Sequence, residues 1–343
     1  MKPLKQHETR VRRTYTGGKR LDAFLGKRHC ENSFYPEDWI SSFCEAKNKE
    51  YVKNEGITRV ECGGKLQLIT DVVSSSDFGK GRSDAGVLIK YLDAAERLGI
   101  QVHPTKEYSR KHFNSEYGKT ECWYVLESAD NACVYLGFKP EVTRETFKDL
   151  FNRQDLPGML EAMHRFDVHE GDVILVTGGM PHAIGEGCFL LEIQEPSDYT
   201  MRAETTTVSG LVYTPEQIHY GVGYENMLDC FDYTPKSREE IINAHFLKGN
   251  VSNEATYVKH TLISYSDTPY FALDRVTCQK YALNEDSFVT VIALSSGKII
   301  YDGKKTELCR GDKYFISANC DDIVFEDADI LICYPPDFEV NCY

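Results

Sequence analysis

Two short runs, Gln101-Val102-His103-Pro104 and Gly118-Lys119-Thr120-Glu121-Cys122-Trp123-Tyr124, carry side chains that can hold a metal ion. Read as strands, each puts alternate residues on one face, so Gln101 shares a face with His103 and Lys119 with Glu121. An amide oxygen, an imidazole and a carboxylate can then point at one ion. Gly178-Gly179-Met180-Pro181-His182-Ala183-Ile184 adds a second imidazole, giving a mixed nitrogen and oxygen set of four suited to zinc or a similar divalent metal. A lone histidine is more often structural or on the surface, but joint occurrence reverses that reading. Glu121 sits beside the apolar Cys122-Trp123-Tyr124, and a buried carboxylate there needs a partner, which a metal supplies. The chain reads first as a metalloenzyme.

Strands punctuated by turns must position these groups. Gly171-Asp172 precedes the apolar Val173-Ile174-Leu175-Val176, and Gly311-Asp312 precedes Lys313-Tyr314-Phe315-Ile316. Val289 to Leu294 is apolar, and Lys298 to Tyr301 leads into Asp302-Gly303, a dipeptide that tolerates the positive φ of a tight hairpin. The C-terminal stretch therefore reads as all-β. Helical spacing of Phe147, Leu150 and Phe151 after Pro140, and of Leu160 and Met163 after Pro157, predicts two helices between the β regions. Ser237 with Glu240 predicts a capped helix ahead of Ile241, and Pro215, Ile218, Met227 and Leu228 predict a further helical stretch. Val87 to Leu98 fits a buried strand or a helix ended at Gly99, and periodicity does not decide.

A chain of 343 residues can bury a large core in one or two domains. Its formal net charge of -14 argues against a general role on nucleic acid or an anionic membrane. An anionic substrate must then find a local positive patch. No run approaches the roughly 18 apolar residues of a membrane span, and Met1 to Arg13 is polar and basic, so a cytoplasmic protein is expected. The twelve cysteines are dispersed with no Cys-x-x-Cys pair, which predicts free thiols. Lys106, Arg110, Lys111 and His112 read as a solvated charged face. Gly17-Gly18-Lys19 lacks the spacing of a phosphate loop, and His7, His29 and His219 have no recurring ligand spacing.

Gly171, Thr177, Gly179 and His182 together resemble the second motif of cupin barrels, with Thr177 where proline is usual. Gln101-x-His103 followed by Glu121 resembles the first motif in the form used by type I mannose-6-phosphate isomerases, especially the short bacterial form. Supporting stretches are Leu88 to Ala94, Gly118 to Tyr124, Pro181 to Ile184 and Leu191 to Arg202. The resemblance implies a mainly β fold of two cupin-like jelly-roll barrels with a helical insertion. It divides the chain into a catalytic domain over 1–258 and a C-terminal cupin-like domain over 259–343 that lacks a metal site. It makes the segment around Lys90 a strand. It puts the metal ligands on Gln101, His103, Glu121 and His182, the essential arginine on Arg202, and further active-site polar groups on Lys90, Lys119 and Asp198. Gly99 stands where many members have serine, and Ala203 to Val212 departs from the short-form pattern.

The function implied is interconversion of mannose 6-phosphate and fructose 6-phosphate through an enediolate. One zinc ion per chain is expected, with manganese or cobalt as substitutes. A first shell with a single glutamate leaves the ion net positive, fit to act as a Lewis acid. Arg202 suits stabilisation of negative charge, and Lys119 and Asp198 are the candidates for proton handling. The alternatives are an isomerase of a related sugar or sugar phosphate, and a cupin sensor that binds metal and sugar without turnover. Gly311-Asp312 repeats the turn of the second motif, but Lys313 to Asn319 has no histidine, so that region is expected to pack against the catalytic one.

Overall fold

The computed structural model describes residues 2–337. The chain is mainly β and its sheets are antiparallel. A seven-stranded sheet runs, edge to edge, through Phe246–Leu247, Val173–Val176, Glu121–Ser128, Cys188–Gln194, Leu88–Asp93, Glu37–Ile40 and Arg10–Val11. A five-stranded sheet runs through Met163–Asp167, Cys133–Phe138, His182–Ile184, Gln101–Val102 and Met201–Arg202. A nine-stranded sheet holds the strands from Asn250–Asn253 to Ile323–Tyr334 and takes in Leu4–Lys5 from the N-terminal end. Among the described residues no sheet closes on itself.

Side-chain alternation explains the layering. On the strand Glu121–Ser128, Trp123 and Val125 pack with Val134, Leu136 and Ile184 of the five-stranded sheet. Their neighbours Cys122, Tyr124 and Leu126 point the other way and pack with Leu273, Ile292, Phe315 and Leu331 of the nine-stranded sheet. The central sheet is therefore covered on both faces, and its strands Glu121–Ser128, Val173–Val176 and Cys188–Gln194 are dominated by apolar residues. Each large side chain so buried contributes about 1.5–3 kcal/mol.

Helices cover the outer face of the five-stranded sheet, where Phe147, Phe151, Met159, Ile218 and Met227 pack on Val102, Phe138 and Met201. The helix Arg144–Arg153 starts at Thr143, whose side chain accepts from the Thr146 N–H, and Arg238–His245 starts at Ser237 with the expected Glu240 capping box. The helix Leu156–Glu161 stops before Met163, which instead opens a strand paired with Phe138. The stretch after Pro215 is two short helices, Pro215–His219 and Tyr224–Leu228, separated by Tyr220, Gly221 and Gly223 at positive φ. Leu88–Asp93 is a strand, entirely buried between its neighbours. After His245 the described chain is all strand and turn, and Asp302-Gly303, both at positive φ, joins Gly297–Tyr301 to Lys304–Leu308 as a hairpin. The C-terminal region expected to end at 343 extends past the described residues by 338–343.

Candidate functional site

The inner face of the central sheet changes character at one end. Across the strands, Trp39, Lys90, Glu192 and Trp123 stand in one row, and Gln194 pairs with Glu121 in the next. Opposite them, the five-stranded sheet presents Gln101 and His182 as a register pair, with His103 immediately after its strand. The ligating atoms of His103, Glu121 and His182 lie within 4.8 Å of one another, and all three residues are buried. His103 Nε2 is 3.1 Å from Glu121 Oε2, and His182 Nε2 is 3.6 Å from Glu121 Oε1. The Gln101 amide reaches His182 Nε2 at 3.1 Å, and turning that amide over brings its oxygen to the same point. Lys119 precedes its strand rather than belonging to it, yet its Nζ lies 2.8 Å from His103 Nε2 and 3.2 Å from Glu121 Oε2.

This set fits a divalent ion on its own chemistry. His103 Nδ1 and His182 Nδ1 each sit 2.9 Å from a backbone carbonyl, of Tyr199 and Met180, so each Nδ1 carries the proton and each Nε2 turns its lone pair inward. Burial, then the Lys119 charge, push His103 down to about 3, and burial lowers His182 as well, which keeps both imidazoles neutral. Burial opposes ionisation of Glu121, but Lys119, His103 and His182 outweigh it and hold the carboxyl well below its ordinary range. The Trp123 indole N–H donates to Glu121 Oε1 at 3.0 Å and fixes its rotamer. Two neutral imidazoles and an oriented carboxylate around one point are a ready metal shell.

Beside it lies a buried charge network in which sequence alone left three members without a role. Arg13 donates to Glu37 at 2.8 Å and to both oxygens of Asp198 at 3.1 Å, while stacking over Trp39 at 5.0 Å. Although burial works the other way, Arg13 and Lys90 lower Glu37 to about 2, and Arg13 with Lys119 holds Asp198 ionised far below its ordinary value. Glu192 is different. Burial, and then the charge of Glu121, raise it to about 8 even though Lys90 Nζ is 3.0 Å away. Lys90 is raised by Glu192 and Glu37 despite its burial. Glu121 Oε2 lies 3.2 Å from Lys119 Nζ and Glu192 Oε1 lies 3.0 Å from Lys90 Nζ, so each buried carboxylate faces a cation. Glu192 could have been found from Leu191-Glu192-Ile193: an acid in an apolar strand, like Glu121, but with no motif spacing to single it out.

Arg202 Nη1 donates to the carbonyls of Thr200, at 3.1 Å, and Gln217, and its guanidinium lies 5.0 Å from the Tyr213 ring. Lys90, Gln101, Lys119, Glu121, Asp198 and Arg202 line one cavity. Gly99 lines it too, and a Cβ added there would meet the Glu204 carboxylate at 3.7 Å. Lys106 is turned to Glu195 and the Tyr270 ring, while Arg110 pairs with Glu116 at the surface. The N–H of Gly18 is taken by Asp93 rather than left for a phosphate.

No family model matches the chain. Over 253 residues it is 29% identical to the probable mannose-6-phosphate isomerase GmuF of Bacillus subtilis, a match that spans 73% of this chain and 75% of that protein. The mannose-6-phosphate isomerase ManA of the same organism matches at 40% identity over 116 residues, 34% of this chain and 36% of ManA. A crystal structure of the mannose 6-phosphate isomerase from Bacillus subtilis superposes with a TM-score of 0.76, at 19% identity, over 97% of this chain and 100% of that one. The chain is similar in sequence to proteins named mannose-6-phosphate isomerase and shares the fold of the Bacillus subtilis structure over nearly its whole length.

Proposed function

We propose that the chain is a metal-dependent aldose-ketose isomerase that interconverts mannose 6-phosphate and fructose 6-phosphate through an enediolate. The observation that carries this is the convergence of Gln101, His103, Glu121 and His182 next to a carboxyl, Glu192, held near neutrality. Zinc suits the two imidazoles, and the oxygen donors also accept manganese or cobalt. A divalent ion held there would polarise the substrate's carbonyl and hydroxyl oxygens as a Lewis acid.

The rest is done by the chain's own groups. Moving a proton between C1 and C2 needs a group that both gives and takes it near neutral pH. Glu192, raised to about 8 and 3.0 Å from Lys90, has that property, and Lys119 is the second candidate. Asp198, ionised in the grip of Arg13, acts as a positioning carboxylate. Arg202 is aimed into the cavity by two carbonyls and stabilises the oxyanion that forms there.

In the division of labour proposed here, residues 1–258 carry the catalysis and 259–343 a supporting region. Each would be a flattened cupin-like barrel. The eleven described cysteines are free thiols, which supports a cytoplasmic setting. The test is fructose 6-phosphate production from mannose 6-phosphate by metal-stripped protein, before and after zinc is restored. No turnover with zinc bound at this site would favour a binding protein instead.

A further inference from the structure

The cavity gathers more positive charge than its floor uses. Arg13, Lys90, Arg97 and Lys119 each face a carboxylate: Glu37 and Asp198 at Arg13, Glu192 at Lys90, Glu204 at Arg97, and Glu121 at Lys119. Three further cations line the same cavity without an ion pair among the described residues: Arg202 on its wall, and Lys47 and Lys49 on a loop at its rim. That loop is built into the site. The Lys47 N–H donates to Asp198 Oδ2 at 2.8 Å, so the carboxylate gripped by Arg13 also fixes the loop. The Ala46 N–H donates to the Glu55 carbonyl at 2.9 Å, and the Asn48 amide to the Glu55 carboxylate at 3.0 Å. Lys47 Nζ rests 4.7 Å over the ring of Tyr199, whose own carbonyl orients His103. Lys47, Asn48 and Lys49 also line a neighbouring depression together with Glu45 and Glu216.

Resting on the isomerase reading above, we infer that the Lys47-Asn48-Lys49 loop is the element that reads the phosphate of the substrate. A sugar phosphate is anionic at the end away from the carbons that react, and this protein has a formal net charge of -14. Its phosphate must therefore settle where cations are uncommitted and solvent can still reach it. Lys47 and Lys49 are exposed ammonium groups on a backbone tied to the floor of the site, and each can donate charge-assisted hydrogen bonds to phosphate oxygens. Lys90 and Lys119 are buried and engaged with carboxylates.

The experiment compares the wild type with the Lys47→Gln/Lys49→Gln double variant. Two quantities are read: the ratio of kcat/KM for mannose 6-phosphate to that for mannose, and the calorimetric affinity for inorganic phosphate. Both are expected to fall about tenfold or more, the scale of one or two charge-assisted hydrogen bonds. An unchanged ratio together with an unchanged phosphate affinity overturns the inference. Should the wild type prove inactive on both sugars, the isomerase reading fails, and phosphate binding decides the loop alone. Affinity lost in the variant upholds the loop as an anion site, whereas equal binding, or none in the wild type, rejects it.

Discussion

The same turn is built twice, and among the described residues only the first copy stands beside a His/Glu/His cluster. At Gly171-Asp172 the His169 N–H donates to the Asp172 carboxylate at 2.8 Å, and the backbone of Val125 exchanges two hydrogen bonds with the turn, both at 2.9 Å. At Gly311-Asp312 the Cys309 N–H donates to the Asp312 carboxylate at 2.9 Å, and Ala293 exchanges bonds at 2.8 and 2.9 Å. Gly171 and Gly311 have φ of 92° and 86°, a conformation costly for any residue with a Cβ. What differs is the face each sheet turns inward. Around the first turn it carries Lys90, Glu121 and Glu192 among the apolar residues, and around the second it is Val276, Val289, Val291, Ile299, Phe325, Ile330 and Ile332. The turn sets the strand register, and the alternate residues alone decide whether the interior reacts or merely packs.

Substituting the two interiors should separate those roles. His103→Ala or His182→Ala should weaken metal binding by at least about 100-fold, since even indirect partners of a ligand cost 10–100-fold, and turnover should vanish. Metal content after gel filtration checks this, and full retention would break the assignment. Ile332→Ala, on the apolar interior, should instead cost about 2–5 kcal/mol of stability in urea unfolding and leave metal content unchanged. Next in size, Arg202→Ala should lower kcat by about 100-fold or more, the scale of a lost preorganised oxyanion partner. Lysine at 202 should recover only part, because a point charge cannot reproduce the planar fork.

How much of this the sequence discloses follows from what each residue must satisfy. The proposed ligands are legible because Gln101, His103, Glu121 and His182 are polar residues in short motifs beside apolar runs, and the fold then brings them together. Glu192 is legible only as an acid within an apolar strand, and the meaning of Glu192 and Glu37 depends on partners elsewhere in the chain: Lys90 for Glu192 and Arg13 for Glu37. In sequence Arg13 is one more basic residue in a polar N-terminal segment, and only tertiary contact makes it the clamp on Asp198. Met163 misled for a different reason. Its helical spacing from Leu160 is real, but pairing with Phe138 captures it for a strand, a tertiary override of local periodicity.

The polar interior also predicts a pH signature that the apolar one lacks. Glu192 sits at about 8 in the fold against an ordinary value of 4.5, so the folded chain keeps a proton that the unfolded chain releases between those values. The associated stability is complete below pH 4.5 and erodes as pH rises through 8. Metal-free Glu192→Gln should therefore lose less stability than the wild type between pH 5 and 8, by more than about 1 kcal/mol. Urea midpoints measured at both ends test it, and parallel losses would place the titration elsewhere. In the metal-loaded enzyme the same change should cut turnover by about 100-fold if Glu192 moves the proton.

The smallest effect on turnover belongs to Asp38, the residue next to Glu37 in sequence and its opposite in placement. On one strand, Glu37 points into the charge network while Asp38 points to the nine-stranded sheet and pairs with Lys313 in a fully buried contact. Lys313→Met alone strands the Asp38 carboxylate and should cost about 3–5 kcal/mol. Asp38 Oδ1 also accepts the Thr9 N–H at 2.7 Å, so asparagine is the replacement that keeps this second bond. The double variant Lys313→Met/Asp38→Asn should thus regain more than half of the lost stability, because a neutral pair no longer carries the desolvation cost of two buried charges. Its turnover should match the wild type, since the sheet lies between this pair and the His103, Glu121 and His182 cluster. A fall in kcat with folding intact would mean that the two interiors are coupled through the central sheet, and that the C-terminal region does more than pack.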